Sequence, residues 1–246
     1  MRFALLMLVF AATGAGCTHN RAGTMTGLLG GTESLTGPTS SGGSSAPSES
    51  TSNELPGKQS ASLCLVMAES LERADKELEA VAYYERAREL DPGSAERVGR
   101  RLAVLYDRID QQAKAMNEYQ ELLKKRPKDS TLLNDLGYSL YNRGQWAEAE
   151  SYLLRAVAAD KGNKRAWVNL GMAQAQQNKR VEAVTSFEKA VSRAEAEANL
   201  GFVLTTQGNR DEALAAYRRA LVLEPTLPIA QAAIARIEGT GPTSAP

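Results

Sequence analysis

Histidine and cysteine are scarce in this sequence, which has one histidine, His19, and two cysteines, Cys17 and Cys64. His19 lies in a polar segment with no carboxylate or second histidine beside it, so the commonest general base and metal ligand are missing from the rest of the chain. No phosphate-binding loop, zinc-ligand spacing or nucleophile motif is present either. We therefore expect no enzymatic activity, no catalytic residue, no metal ion and no cofactor. The two cysteines differ in context and predict no disulfide.

An excess of either charge is also absent. Lys and Arg together number 29, as do Asp and Glu, so the formal net charge at pH 7 is zero. A chain without an overall electrostatic field is not drawn to nucleic acid or to an anionic membrane surface. We expect no nucleic-acid partner, and we expect any protein partner to be recognised by a local surface.

The N-terminal residues 1–16 have the order of a secretory signal peptide. Arg2 provides the positive charge, an apolar run extends from Phe3 to Ala12, and small residues follow up to Cys17. The apolar run is too short to span a bilayer as a helix of the mature protein. The sequence therefore predicts export from the cytoplasm.

The string Gly14-Ala15-Gly16-Cys17 resembles the bacterial lipobox, although that family prefers leucine where Gly14 stands. The resemblance implies that Cys17 is acylated and anchors the chain in a membrane. Thr18, in place of an aspartate, implies an outer-membrane lipoprotein facing the periplasm of a Gram-negative cell. Cleavage by ordinary signal peptidase stays open as the alternative, and it would leave a soluble periplasmic or secreted protein.

Residues 17–61 are predicted to form a disordered tether. Between Thr18 and Ser60, 27 of 43 residues are Gly, Ser, Thr or Pro. No apolar period remains there, so burial could not offset the entropy lost on ordering. We interpret this segment as a spacer.

A repeat begins after the tether and keeps one internal spacing through five units. A small residue, placed at position 8 of each unit, is followed twelve residues later by alanine and four further on by a large apolar side chain at position 24. Position 15 always carries a residue that tolerates a left-handed backbone and can end a helix. Each unit therefore predicts a helix, a tight turn and a second helix. The residues are Ala68, Ala103, Gly137, Gly171 and Gly201 at position 8, Asp75, Asp110, Gly144, Asn178 and Gly208 at position 15, and Tyr84, Tyr119, Leu153, Phe187 and Tyr217 at position 24.

This ladder resembles the signature of the tetratricopeptide (TPR) repeat, which implies an all-α solenoid of five helix-turn-helix units with a C-terminal capping helix. The fourth unit is four residues short, about one helical turn, which predicts a trimmed second helix. The predicted units are 62–95, 96–129, 130–163, 164–193 and 194–227, followed by a capping helix at 228–238 and a disordered tail at 239–246.

In the TPR family the first helices of the units line a concave groove, and the resemblance implies a peptide-binding surface here. Asparagine amides would pair with a peptide backbone, larger side chains would provide apolar contact, and arginines would capture a carboxylate or an acidic segment. The alternative is that the arginines pair with Glu69, Glu72 and Glu96. The groove residues are Arg97, Arg100, Arg101, Arg108, Asn134, Tyr138, Tyr141, Asn142, Asn169, Met172, Asn199 and Phe202.

The order of signal, cysteine, polar tether and repeats resembles the TadD-type lipoproteins of tight-adherence pilus systems, as do the segments 136–140 and 211–220. That resemblance implies a non-catalytic scaffold for assembling a pilus or secretion machine. Two alternatives stay open. The chain could be a general periplasmic adaptor, or it could regulate a peptidoglycan or other envelope enzyme.

Overall fold

The computed structural model describes residues 57–239, which form eleven α-helices, a short 3₁₀ turn at Pro92–Ser94 and no strand. The predicted signal peptide, Cys17, most of the predicted tether and residues 240–246 lie outside the described residues. The helices are α1 Gly57–Arg73, α2 Glu77–Leu90, α3 Ala95–Arg108, α4 Gln112–Lys125, α5 Ser130–Asn142, α6 Trp146–Ala159, α7 Lys164–Gln176, α8 Arg180–Glu188, α9 Arg193–Thr206, α10 Arg210–Leu223 and α11 Pro228–Glu238.

The first ten helices form five consecutive pairs, and each pair packs on the next. Within each pair the two helices are in extensive contact, from α1 with α2 to α9 with α10. The first helices of neighbouring pairs also touch, in the order α3, α5, α7 and α9, and α11 packs against α10. The predicted fold class, an all-α TPR solenoid with a capping helix, is confirmed.

All five pairs use the same turn. Each residue predicted at position 15 has a positive φ, which ranges from 55° at Asp75 to 80° at Gly208. The next residue donates its backbone N–H to the carbonyl five positions earlier, as in Lys76 to Leu71 at 3.0 Å and Asn209 to Leu204 at 2.9 Å. This Schellman closure satisfies carbonyls at the end of the first helix and turns the chain into the second.

Close contact between positions 8 and 24 holds the two helices of each pair together. All five side chains at position 24 are at most 3% exposed. A Cβ added to Gly171 would lie 2.6 Å from the Phe187 ring and 2.9 Å from the Ala183 carbonyl oxygen, and one added to Gly137 would lie 2.6 Å from Leu153. The small residues are therefore required by the distance between helix backbones.

The first unit begins earlier than predicted. Helix α1 starts at Gly57, so residues 57–61, which we expected to be the end of the disordered tether, are helical. Ala61 is only 2% exposed, and the preceding residues form the first turn of the helix that carries it. The segment before α1 is rich in Ser and Gly, so its composition does not indicate a helix. A single buried alanine also gives no periodic pattern from which this first helical turn could be predicted.

The fourth pair contains the shortened second helix that the missing residues predict. Helix α8 has nine residues, whereas α2, α4, α6 and α10 have fourteen. Ala190 lies beyond the end of α8 and is only partly buried, although it aligns with the fully buried Ala156 and Ala220. The chain then enters α9 through a capping box, in which Ser192 and Glu195 exchange hydrogen bonds with each other's backbone N–H.

Helix α11 closes the C-terminal end of the array. Ala230 is fully buried, and Ile229, Ile234 and Ile237 are half-buried against the last pair. The helix starts with Pro228 in its first turn and ends at Gly239, whose φ is 75°. Gly239 thus ends the helix, as the sequence predicts, and it is the cap of α11 rather than the first residue of the predicted tail.

We predict that Gly171→Ala lowers the free energy of unfolding by about 1–3 kcal/mol, because overpacking outweighs the helix-propensity gain of about 1 kcal/mol. The measurement is urea unfolding of the purified chain followed by circular dichroism. Gly201→Ala is the matched control. The three atoms nearest to its added Cβ all belong to the Tyr217 ring, at 3.0 Å, and the first two units already pair an alanine with a tyrosine at these positions. A Gly171→Ala variant as stable as Gly201→Ala would contradict the packing argument.

Candidate functional site

A row of apolar side chains lies along the face formed by the first helices. We define the position-9 row as Val104, Tyr138, Met172 and Phe202, each directly after the buried small residue at position 8. The first three are half-buried, and Phe202 is 37% exposed. Because α3, α5, α7 and α9 contact one another in order, equivalent positions form a continuous row. Val104 is not among the predicted groove residues, although its position in the unit could have identified it.

Two tyrosines of α5 and a chain of glutamines border this row. The rings of Tyr138 and Tyr141 stack with centroids 6.3 Å apart. Gln176 of α7 donates to the Tyr141 hydroxyl at 3.2 Å, and Gln207, after α9, donates to the Gln176 side-chain oxygen at 3.1 Å. Burial raises the pKa of Tyr141, partly opposed by the bond from Gln176, so the phenol stays protonated at neutral pH. These bonds join three successive units.

The asparagines differ in their availability. Asn134 and Asn169 are 1% and 6% exposed, and the Asn169 amide donates to the Asn134 side-chain oxygen at 2.8 Å. Asn134 in turn donates to Asp135 at 3.1 Å. These two amides, expected to bind a peptide backbone, instead join α5 to α7, because the two helices approach closely enough for them to meet. Asn142 is exposed and Asn199 is half-buried, so both remain accessible.

The four groove arginines all form ion pairs within the fold. Arg97 lies 3.2 Å from Glu69, while Arg101 and Arg108 lie 2.5 and 3.8 Å from Glu72. The carboxylate of Glu72 is only 10% exposed and also accepts from the Tyr84 hydroxyl at 3.3 Å. These contacts join α1 to α3. They agree with the alternative given above, in which the groove arginines pair with Glu69 and Glu72 of the fold.

The ion pairs of Glu96 and Arg100 are not the ones expected from that alternative. Glu96 pairs with Arg126 at 2.7 Å, and Arg100 pairs with Asp129. Asp129 also caps α5 by accepting from the Leu132 N–H at 3.0 Å. Burial alone would raise the pKa of Asp129, but the bonds from Arg100 and Leu132 outweigh burial and lower it. Four guanidiniums are thus matched by three carboxylates, which leaves little positive charge to attract an acidic ligand.

Asp135 is a half-buried carboxylate with a distant ion-pair partner. Its nearest cation, Arg165, is 3.8 Å away and more than half exposed, whereas the Asp135 side chain is 27% exposed. Burial raises the pKa of Asp135, and the attraction of Arg165 and the bond from Asn134 only partly oppose this effect. Asn169 and Asn199 hold the equivalent position in the next two units. A neutral amide at this position is therefore buried at a lower desolvation cost than the carboxylate of Asp135.

The described residues offer few other chemical groups. No cluster of three or more potential metal ligands occurs among residues 57–239, and Cys64 is a half-buried free thiol. No helix in that range is long and apolar enough to cross a membrane. The accessible features of the inner face are thus apolar side chains, amides and paired charges, a composition suited to binding.

Sequence comparison then assigns the repeats. One family model, described as tetratricopeptide repeat, matches residues 100–164 and 134–199. A second model with the same description matches residues 194–227. Together the matches extend over residues 100–227, which is more than half of the sequence. The chain belongs to the tetratricopeptide repeat family. TPR repeats are typically non-catalytic scaffolds that bind peptide or protein partners. Comparison with curated proteins finds no match.

Solved TPR structures have the same fold. YrrB, described as a TPR protein with an unusual peptide-binding site, is 25% identical, with a TM-score of 0.51 over 71% of this chain and 91% of its own. PilW, described as a widely conserved type IV pilus biogenesis factor, is 21% identical, with a TM-score of 0.56 over 74% and 87%. PilF of Pseudomonas aeruginosa is 20% identical, with a TM-score of 0.53 over 75% and 86%.

We predict that Asp135→Asn raises the Tm of the chain at pH 7 by a few degrees. The folded state raises the pKa of Asp135, so ionisation at neutral pH costs stability that protonation would restore. The gain should shrink as the pH falls through the folded-state pKa and vanish below the unfolded value of about 3.9. Thermal melts of both forms across this pH range are the measurement. A variant with a lower Tm at pH 7 would show that Arg165 holds the carboxylate productively.

Proposed function

We propose that this chain is a non-catalytic scaffold of the bacterial cell envelope that binds peptide segments of partner proteins along the position-9 row. The observation that carries the proposal is the row itself. Four apolar side chains remain accessible in register across four helices, each beside a fully buried neighbour. Exposed aromatic and apolar groups aligned on a rigid surface are suited to anchor a ligand.

The spacing of the row indicates the shape of the segment. Packed helices lie about 8–10 Å apart, so successive row side chains are separated by about that distance. A polyproline II segment advances about 3.1 Å per residue with three residues per turn, or about 9 Å per turn. An extended ligand with an apolar side chain at every third residue would thus present one group to each helix. Asn142 and Asn199 remain accessible for its backbone.

The charges of the groove do not favour an acidic ligand. Each groove arginine is paired with a carboxylate of the fold, so binding an acidic segment would require these pairs to be exchanged. Exposed ion pairs contribute only about 0–1 kcal/mol, so exchange is possible but brings little affinity. Apolar contact is therefore the main source of affinity in this proposal, and the arginines act mainly between α1 and α3.

The envelope setting is proposed from the N-terminal sequence. The secretory pattern of residues 1–16 and the lipobox-like string before Cys17 support export and acylation of Cys17, with an outer-membrane anchor facing the periplasm. A role in pilus or secretion assembly draws support from the TadD-like order of segments and from the fold shared with PilW and PilF. A Cys17→Ala form that stays in the membrane fraction would contradict the anchor.

Site-specific photocrosslinking in the native bacterium tests the binding surface. A benzoyl-phenylalanine residue at Tyr138, Met172 or Phe202 should crosslink to a common partner, because each side chain faces the proposed ligand. The matched controls are Leu154 on α6 and Val181 on α8, which are 48% and 79% exposed but lie on second helices. The crosslinked products are identified by mass spectrometry.

The pattern of crosslinks distinguishes the outcomes. A pilin, secretin or secretion component captured only from the row supports the assembly role, whereas a peptidoglycan enzyme captured from the row supports the regulatory alternative. Equal capture from Leu154 and Val181, or capture from these alone, would contradict the groove as the binding surface.

A further inference from the structure

The loops that join successive pairs lie side by side. Arg126, in the loop after α4, lies 2.7 Å from Glu96, which follows the loop after α2. The Ser130 hydroxyl, at the start of α5, accepts from the Asn163 amide at 2.8 Å and donates to the Ala156 carbonyl at 2.9 Å. These contacts connect consecutive loops into one surface. We call it the loop edge, and it consists of residues 91–94, 126–129 and 160–163.

A group of cations without carboxylate partners lies on the loop edge. None of them forms an ion pair among residues 57–239, and all are exposed. Arg155 donates to the Pro127 carbonyl at 3.5 Å, which places its guanidinium beside the loop after α4. The other members lie within these loops or next to them in the chain. We define the basic edge as Lys125, Lys128, Arg155, Lys161 and Lys164.

The carboxylates of this edge do not balance the basic edge. Glu121 pairs with Lys124 at 2.5 Å, and Asp129 pairs with Arg100. Asp160 forms no ion pair among the described residues, and it accepts from the N–H of Gly162 at 2.8 Å. The five cations of the basic edge therefore have one unpaired carboxylate beside them. The formal charge of the whole chain is zero, so this surplus is local.

The predicted tether joins the array at the same edge. Gly57, the first residue of α1, lies beside the end of α2, because a Cβ added to it would stand 3.4 Å from the Leu90 carbonyl oxygen. The loop 91–94 follows Leu90 directly. The chain that leads back to Cys17 therefore meets the fold at the loop edge. An anchor at Cys17 would bring this edge to a lipid surface without turning the array over.

A local surplus of charge is sufficient for contact with an anionic surface. A neutral chain is not attracted from a distance, but charges act on one another within about 10 Å at about 0.1 M salt. Each Lys or Arg held close to an anionic lipid surface strengthens binding by about fivefold. A tether that keeps the array near the surface makes such weak contacts effective.

We infer that the basic edge docks the repeat array on anionic lipid headgroups, with the loop edge toward the membrane. Such docking depends neither on the peptide groove nor on acylation of Cys17, although the proposed anchor would favour it. The contact leaves the position-9 row accessible, since Tyr138 lies about 12 Å along α5 from Ser130.

Co-sedimentation with lipid vesicles measures the docking. The protein is the mature chain from residue 17 with Cys17→Ala, so that no acyl chain contributes. It should bind vesicles made of equal parts phosphatidylglycerol and phosphatidylethanolamine, and it should not bind phosphatidylcholine vesicles. Binding should weaken as sodium chloride is added, because salt screens exposed charges.

A pair of charge reversals locates the contact. Lys128→Glu with Lys161→Glu should lower the partition coefficient by more than about tenfold, since two attractive charges become repulsive. The matched control is Arg73→Glu with Lys76→Glu, which changes the net charge equally but lies at the turn between α1 and α2. All four side chains are exposed, so the fold should be retained, and the control should bind like the unsubstituted chain.

A fluorescent label reports the orientation without removing a charge. Ala147 and Ala159 are exposed residues near opposite ends of α6, about 18 Å apart. Each is replaced by cysteine in a chain with Cys17→Ala and Cys64→Ser, and is labelled with a fluorophore sensitive to polarity. Addition of the anionic vesicles should shift the emission of the label at residue 159 to the blue, with little change at residue 147.

Several outcomes would overturn the inference. They are equal binding to phosphatidylcholine vesicles, an equal loss of binding in the Arg73 and Lys76 control, and a shift of the label at residue 147 instead of 159. Binding to polyglutamate without binding to anionic vesicles would assign the basic edge to an acidic protein segment instead. Failure of the anchor is a separate result, because the vesicle assay contains no acylated protein.

Discussion

The structure depends on one repeated contact, in which a small residue on the first helix of each pair meets a large side chain on the second. At Gly137 and Gly171 an added Cβ would stand 2.6 Å from its neighbour, so the backbones are as close as packing permits. The geometry of the turn and the register of successive pairs follow from this short distance between the two helix backbones. The turn must be tight, and the residue at its centre must accept a left-handed backbone. Equivalent side chains of successive pairs then fall in register.

The same contact makes the inner face available for binding. Position 8 is buried, so position 9 is directed past the neighbouring helix and remains accessible. The polar groups beside it are largely satisfied within the fold, by the Asn134–Asn169 bond and by the pairs of Glu72 with Arg101 and Arg108. A rigid surface with its hydrogen bonds already made loses little entropy when a ligand binds, which suits it to holding an extended segment.

The fold was predictable from sequence because its determinants are local and repeated. The five turn residues at position 15 with their positive φ, the buried position-24 side chains and the short α8 all follow from spacing along the chain. The state of the groove was less predictable, since it depends on the distance between neighbouring first helices. That distance brings Asn169 onto Asn134, a contact that sequence spacing did not indicate. The pairing of Glu72 with Arg101 and Arg108 was one of two alternatives between which the sequence did not decide. The start of α1 at Gly57 was not predicted, because the single buried alanine in its first turns, Ala61, does not form a periodic pattern.

Hydrogen–deuterium exchange on the complex with its captured partner tests most directly whether the first helices form the binding surface. The account predicts that binding slows amide exchange in α5, α7 and α9, whose packed faces carry Tyr138, Met172 and Phe202, while exchange in α6, α8 and α10 changes little. Protection confined to the second helices would contradict the account and would place the binding surface on the opposite face of the array.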